Sequence, residues 1–235
     1  MRRALSVSLA LLLSLAVPSV SLAGQEVKVQ SVKVDKKTKR EFFRALRKGD
    51  LEKVKELINS GVPVDIRNKF GQTPLFYAAD SDNIELAKFL IERGANIEAK
   101  DYYGLTPLHQ AVIRGSYRVT KLLIDKGADI EATDNYGYTP LHLAAIYNRV
   151  KTAKLLIKKG AKVNAKDSFG NTPLHYCATT KGTYSVAKVL LENGADPNIK
   201  NNRGKTPLEL ANETKNFRIS RLIIKYVQKK GGSSS

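Results

Sequence analysis

Gly137-Tyr138-Thr139-Pro140-Leu141-His142-Leu143-Ala144-Ala145 is the stretch that decides the fold, because its central tripeptide recurs on a fixed beat. Thr-Pro-Leu stands at Thr73-Pro74-Leu75, Thr106-Pro107-Leu108, Thr139-Pro140-Leu141, Thr172-Pro173-Leu174 and Thr206-Pro207-Leu208, at intervals of 33, 33, 33 and 34. Two glycine series keep the same time: Gly71, Gly104, Gly137, Gly170, Gly204 and Gly61, Gly94, Gly127, Gly160, Gly194. A period of this size marks a solenoid, in which each unit buries its apolar face only against its neighbours. Function in such a molecule belongs to a long side wall rather than to a catalytic pocket.

The unit from Asp134 to Lys166 shows the local logic. Asp134-Asn135-Tyr136-Gly137 reads as a tight turn, with Gly137 free to take a positive φ. Thr139 is placed to cap a helix whose first residue, Pro140, has no N–H to lose. Leu141, Ala144 and Ala145 give that helix a slim inner face, so successive first helices can approach closely. Asn148 marks a break, as Gly115 does one unit earlier. A second helix over about 150–159 buries Leu155, Leu156 and Ile157, and Gly160 ends it.

This order of turn, Thr-Pro-Leu-His, alanine pair, second helix and Gly-Ala resembles the ankyrin repeat. Gly104-Leu105-Thr106-Pro107-Leu108-His109-Gln110-Ala111 and the stretch from Gly137 to Ala145 carry the resemblance, which covers about 38–230. It implies an all-α solenoid of helix–turn–helix pairs joined by β-hairpin-like turns. About six units are expected, at 38–67, 68–100, 101–133, 134–166, 167–200 and 201–230. The first lacks Thr-Pro-Leu and the last carries Glu209 in place of His, so both read as caps with a polar outer face. The fifth has one extra residue within Thr179-Thr180-Lys181-Gly182-Thr183, between its helices, where the stack is undisturbed.

Ahead of the repeats, Arg2 and Arg3 precede an apolar run from Ala4 to Val17, broken by Pro18, and Ser21-Leu22-Ala23 offers small residues for cleavage between Ala23 and Gly24. The run is shorter than the roughly 20 residues a membrane span needs. The expectation is a signal peptide over 1–23, a flexible leader over 24–37 (with alternating Val27, Val29, Val32 and Val34 as a competing strand signal), and a loose tail over 231–235. Location in a periplasm or outside the cell follows, with no membrane span after cleavage. Export into an oxidising compartment meets a single cysteine, Cys177, so no intramolecular disulfide is available and the fold must rest on packing. The formal net charge is +18; the leader takes two of the 40 basic residues and none of the 22 acidic ones, leaving +16. Such a balance suits anionic partners, or simply solubility through outward lysines.

Catalytic chemistry finds little support. No Gly-rich phosphate cradle, zinc-protease motif or serine elbow occurs. His109, His142 and His175 are each the fourth letter of Thr-Pro-Leu-His; the resemblance gives them a structural role, bonding their own Thr106, Thr139 and Thr172 and the next unit's loop. Units stack about one helix diameter, roughly 10 Å, apart, while metal ligands lie about 2 Å from zinc, so adjacent histidines share no metal. Cys177 takes the place of an inner alanine. Asp101, Asp134 and Asp167 open turns, where their carboxylates satisfy backbone N–H groups. No cofactor and no metal is expected.

The binding signal is a row at the turn tips, Phe70, Tyr103, Tyr136 and Phe169, followed by Arg203. Two readings stand for it: contact with a partner, or packing on the neighbouring turn. A second tier adds Tyr102, Leu105, Ile113, Arg114, Asn135, Tyr138, Ile146 and Tyr147, concentrated in the third and fourth units. The resemblance implies that turn tips and first helices form a concave groove, and aromatics with arginine suit an interface. The leading expectation is a monomeric, non-catalytic module that binds another protein there. The alternative is a basic surface, including Lys158, Lys159, Lys162, Lys181 and the terminal clusters, that holds a polyanion such as lipopolysaccharide or an acidic envelope polymer. Nucleic acid is not expected. A purely architectural role, stabilising or inhibiting one envelope enzyme, is a third reading.

Overall fold

The computed structural model describes residues 34–231. The expected signal peptide, its cleavage point and Val27, Val29 and Val32 lie outside the described residues. Among the described residues there are six helix pairs and no strand. They are α1 (Lys36–Lys48) with α2 (Leu51–Asn59), α3 (Pro74–Asp80) with α4 (Ile84–Glu92), and α5 (Pro107–Arg114) with α6 (Tyr117–Asp125). The C-terminal half adds α7 (Pro140–Ile146) with α8 (Val150–Lys158), α9 (Pro173–Thr179) with α10 (Tyr184–Glu192), and α11 (Pro207–Glu213) with α12 (Phe217–Gly231). Inner helices α1, α3, α5, α7, α9 and α11 stack in one layer, and α4, α6, α8, α10 and α12 stack behind them.

α1 starts two residues before the expected domain boundary. Asp35 accepts from the N–H groups of Lys37 and Thr38, which fixes the first turn, and Val34 packs against the core. Residues 36–37 are therefore helix rather than leader. At the other end Gly231 closes α12 instead of opening the tail; 232–235 are outside the described residues.

From α3 onward each inner helix is short because its ends are marked. Proline begins it, and the tight turn into the outer helix ends it. The residues that face across the stack are small: Ala78, Ala79, Ala111, Ala144, Ala145, Ala178 and Ala211 are fully buried. Cys177 takes the same kind of position, equally buried, and burial pushes its thiol up to about 12. It is a packing residue. Large side chains fill the space between the layers: Leu75, Leu90, Leu108, Leu123, Leu141, Leu156 and Leu190 have at most 1% of their surface exposed. In the fourth unit Leu155 and Leu156 are buried, whereas Ile157 is only half-buried.

The extra residue of the fifth unit sits between α9 and α10. The Thr183 hydroxyl lies 2.8 Å from the carbonyl oxygens of both Cys177 and Thr180, which closes the enlarged turn. The Asn216 amide, from the next unit, donates to the Ala178 carbonyl at 3.2 Å, so the insertion is clamped on both sides. No helix of the described residues is long and apolar enough to cross a membrane.

Candidate binding surface

The turns between units are pinned before they are presented. Asp134 Oδ1 accepts from the N–H groups of Tyr136 and Tyr138, both at 2.9 Å, and the backbone closes from Asp134 N–H to the Tyr138 carbonyl at 3.2 Å. Asp101 and Asp167 repeat the arrangement, and Asn68 and Asn201 reproduce it with an amide oxygen. Successive turns are then joined by one bond each. The N–H groups of Tyr102, Asn135, Ser168 and Asn202 donate at 3.0–3.1 Å to the carbonyls of Phe70, Tyr103, Tyr136 and Phe169. This ladder needs close approach at the turn glycine: a Cβ on Gly137, whose φ is +79, would stand 2.8 Å from Ser168 N.

The ladder sets the four tip aromatics in register. Phe70, Tyr103, Tyr136 and Phe169 are 46%, 58%, 53% and 49% exposed. None of these rings meets the next ring of the row; Tyr136 leans on Tyr138 of its own turn, and Phe70 lies beside the Lys69 ammonium. About half of each ring's surface is open to solvent, and no ring-on-ring contact joins successive tips among the described residues. Arg203 ends it, also exposed. Tyr102, 69% exposed, lies across Gly71, and the exposed Asn135 spends its amide on the Tyr102 carbonyl.

The second tier divides. Tyr147, at the end of α7, is 45% exposed. Leu105, Ile113, Tyr138 and Ile146 are half-buried and pack against the core. Tyr138 is held by its own molecule: its ring meets Tyr176 edge-on at 5.5 Å, and the two hydroxyls are 3.2 Å apart. The Tyr176 hydroxyl donates to Asp167, and Asn171, tied to Asn201, donates to Tyr176 in turn. Burial and the Asp167 carboxylate push the Tyr176 phenol up, so it stays a neutral donor. Arg114 reaches Asp80 at 2.5 Å, and Gln110 shares that carboxylate.

The sequence reading missed the floor of the groove. A hollow of about 280 Å³ opens between α1, α3 and α5, lined among others by Leu46, Arg47, Phe76, Tyr77, Asp80 and Arg114. It spans the inner helices of the first three units. Tyr77 and Tyr176 occupy the same helical position one could have tabulated from the repeat phase, four residues after each Thr. Arg149 was also missed; its guanidinium lies over Gly115 and donates to the Ile113 carbonyl.

Each histidine sits behind this wall. Nδ1 of His109, His142 and His175 accepts from the backbone N–H of Thr106, Thr139 and Thr172 at 3.0–3.2 Å. The opposite nitrogen, Nε2, therefore carries the proton and donates to Tyr138, Asn171 and Lys205 carbonyls at 3.0–3.1 Å. Burial lowers all three pKa values, and protonating Nδ1 would set it against the Thr N–H. In the second unit Phe76 replaces the histidine, and the buried Thr73 hydroxyl has no partner. In the sixth, Glu209 caps Thr206 alone. No group of His, Cys, Asp and Glu among the described residues could hold a metal ion.

Of the basic candidates, Lys159 pairs with Asp125 at 2.8 Å, and hydrogen bonds from Lys121 and Lys159 bring that carboxyl down to about 2. Lys158, Lys162 and Lys181 are exposed. The C-terminal cap departs from expectation. Its outer face is not polar throughout, since α12 exposes Phe217, Ile224 and Val227 beside its cations.

A solenoid of stacked helix pairs with a wall of turn tips and inner helices is the architecture of a repeat-type binding protein. A family model described as ankyrin repeats (3 copies) matches residues 42–134, 104–167, 132–201 and 166–232, and the chain belongs to that family. Over 38 residues, 16% of this chain, it is 55% identical to the Ankyrin repeat, SAM and basic leucine zipper domain-containing protein 1 of Rhinolophus ferrumequinum. That stretch spans 8% of the relative's length. Ankyrin repeats are protein–protein interaction modules, generally without catalytic activity, and the chain carries such a module.

Proposed function

We propose that the chain is exported, processed between Ala23 and Gly24, and acts as a monomeric, non-catalytic binder of another protein in a periplasm or outside the cell. The observation that carries the binding reading is the in-register row of half-exposed rings, Phe70, Tyr103, Tyr136 and Phe169, spaced by single backbone bonds. A soluble protein seldom displays such a row without a partner. The groove hollow at Leu46, Tyr77 and Arg114 adjoins the first helices and offers room for a partner side chain.

Replacing Tyr103, Tyr136 and Tyr147 with Ala tests it, because none of these side chains enters the internal hydrogen-bond network. Crosslinking in the native compartment followed by mass spectrometry should lose the partner while the variant keeps its melting temperature. Full partner recovery by a folded variant would sink the assignment. Export has its own readout: the intact mass of the protein recovered from the envelope or medium should correspond to a chain starting at Gly24. The alternative, a basic surface that holds an anionic envelope polymer, draws support from the +16 charge left after processing (two of the 40 basic residues removed, 22 acidic ones kept) and the exposed Lys158, Lys162 and Lys181.

A further inference from the structure

We propose that the outward face of α12 is a docking surface for an anionic lipid bilayer, separate from the groove. The helix carries Arg218, Arg221, Lys225, Lys229 and Lys230 and not one carboxylate. Arg218, Arg221 and Lys225 pair with no acidic side chain among the described residues. On other outer helices some exposed cations are paired, Lys88 with Glu85, Lys121 with Asp125 and Lys188 with Glu192, whereas Lys151, Lys154 and Lys158 of α8 have no acidic partner among the described residues but stand beside no exposed large apolar side chain.

Apolar side chains share this face. Phe217, Ile224 and Val227 are 59%, 43% and 44% exposed, while Ile219 and Ile223 on the opposite side fill the core. Helical spacing sets Phe217, Arg221 and Ile224 along one strip, with Arg218 and Lys225 flanking it. The Arg218 guanidinium lies 4.6 Å from the Tyr184 ring centre, and a shallow cleft of about 580 Å³ opens between Tyr184, Phe217, Arg221 and Lys225. Cations level with exposed rings and aliphatics are what an interfacial helix presents to headgroups and to the upper acyl chains.

The other end of the molecule identifies the occupant by contrast. α1 has more cations, among them Lys36, Lys37, Lys39, Arg40 and Arg44, but its Phe42, Phe43 and Leu46 are buried. Such a face can attract any polyanion. Only α12 adds unburied apolar side chains, which a polyanion leaves in water and a bilayer covers.

The protein has no tryptophan, so Phe217→Trp supplies a single indole, which can be excited apart from the tyrosines, and keeps every charge. The chain as processed at Gly24 is mixed with vesicles of phosphatidylcholine alone, with vesicles of equal parts phosphatidylcholine and phosphatidylglycerol, and with dextran sulfate. The expected result is sedimentation with the mixed vesicles only, and a blue shift of the introduced indole's emission with them but not with dextran sulfate. Arg221→Glu with Lys225→Glu should weaken vesicle binding by about tenfold or more, since each cation near an anionic surface contributes roughly fivefold. Lys37→Glu with Arg40→Glu should weaken it less, and the Tyr103, Tyr136 and Tyr147 groove variant should bind vesicles as the wild type does. An unshifted emission, equal shifts with vesicles and dextran sulfate, or equal losses from the two charge reversals would each overturn the proposal. Because the emission readout needs only one exposed substitution, a failure of the double variant to fold leaves the test intact.

Discussion

The buried hydroxyl of Thr73 is the residue where this chain departs most clearly from its own pattern. Thr106 and Thr139 each have a histidine three residues on that accepts from their N–H, whereas Thr73 faces Phe76 and its Oγ1 is unpaired. An unmade buried hydrogen bond costs more than its absence by design. Thr73→Val should therefore lie within about 0.5 kcal/mol of wild type or above it, while Thr139→Val should lose about 1–2 kcal/mol. Urea midpoints of the two variants decide it, and equal losses would refute the distinction. The roles of His109, His142 and His175 were legible because the motif places each next to its Thr. Tyr176, Arg149 and Gln110 were not, because their partners Tyr138, Ile113 and Asp80 become neighbours only when units stack. The same holds for Tyr138: its sequence position says groove, and only the neighbouring Tyr176 makes it an internal part.

Among the elements, boundaries were readable wherever a chemical mark stands at the end. Thr-Pro opened each inner helix after α1, and a glycine followed each outer helix that precedes another unit. α1 began earlier than expected because its mark is Asp35, a cap with no repeat to announce it. The exposed apolar strip of α12 escaped the sequence for another reason: a helical wheel does not say which side α10 and α11 will cover. Turn glycines differ in the same manner. Gly137 at φ +79 and Gly160 at φ +96 both occupy a left-handed conformation, but a Cβ on Gly137 would collide with Ser168, whereas one on Gly160 meets nothing within 4 Å. Gly160→Ala should cost about 1–2 kcal/mol, the strain alone. Gly137→Ala should cost at least about 1 kcal/mol more, because it also pushes apart the rung between Ser168 and Tyr136. Thermal or urea unfolding of the pair measures the difference, and equal costs would mean that the turn tips yield without resistance.

Over the whole molecule, stability is the sum of units and of the interfaces between them, and three interfaces depend on a neutral histidine. The folded pKa of each lies below the ordinary 6.5. Above that value folded and unfolded chains are both unprotonated there, and the contribution is fully present. As pH falls through 6.5 the unfolded chain takes up protons first, so stability drops, by at most about 1.4 kcal/mol per pH unit for each histidine. Urea midpoints should be level from pH 8.5 to about 7.5 and decline below 6.5, with a shallower decline in His142→Gln. A midpoint that rises on acidification would contradict the assigned tautomer. The architecture was legible in full from the 33-residue beat, since a solenoid has no long-range topology to guess. The location of its hollow was not, because depth depends on which inner side chains happen to be small or absent. The three Nε2–H groups have one more use. Each is a proton held in a single bond across one joint, to Tyr138, Asn171 or Lys205. In a nitrogen–proton correlation spectrum they are three separate lamps, one per joint, and the order in which they go dark on warming records the order in which the stack comes apart.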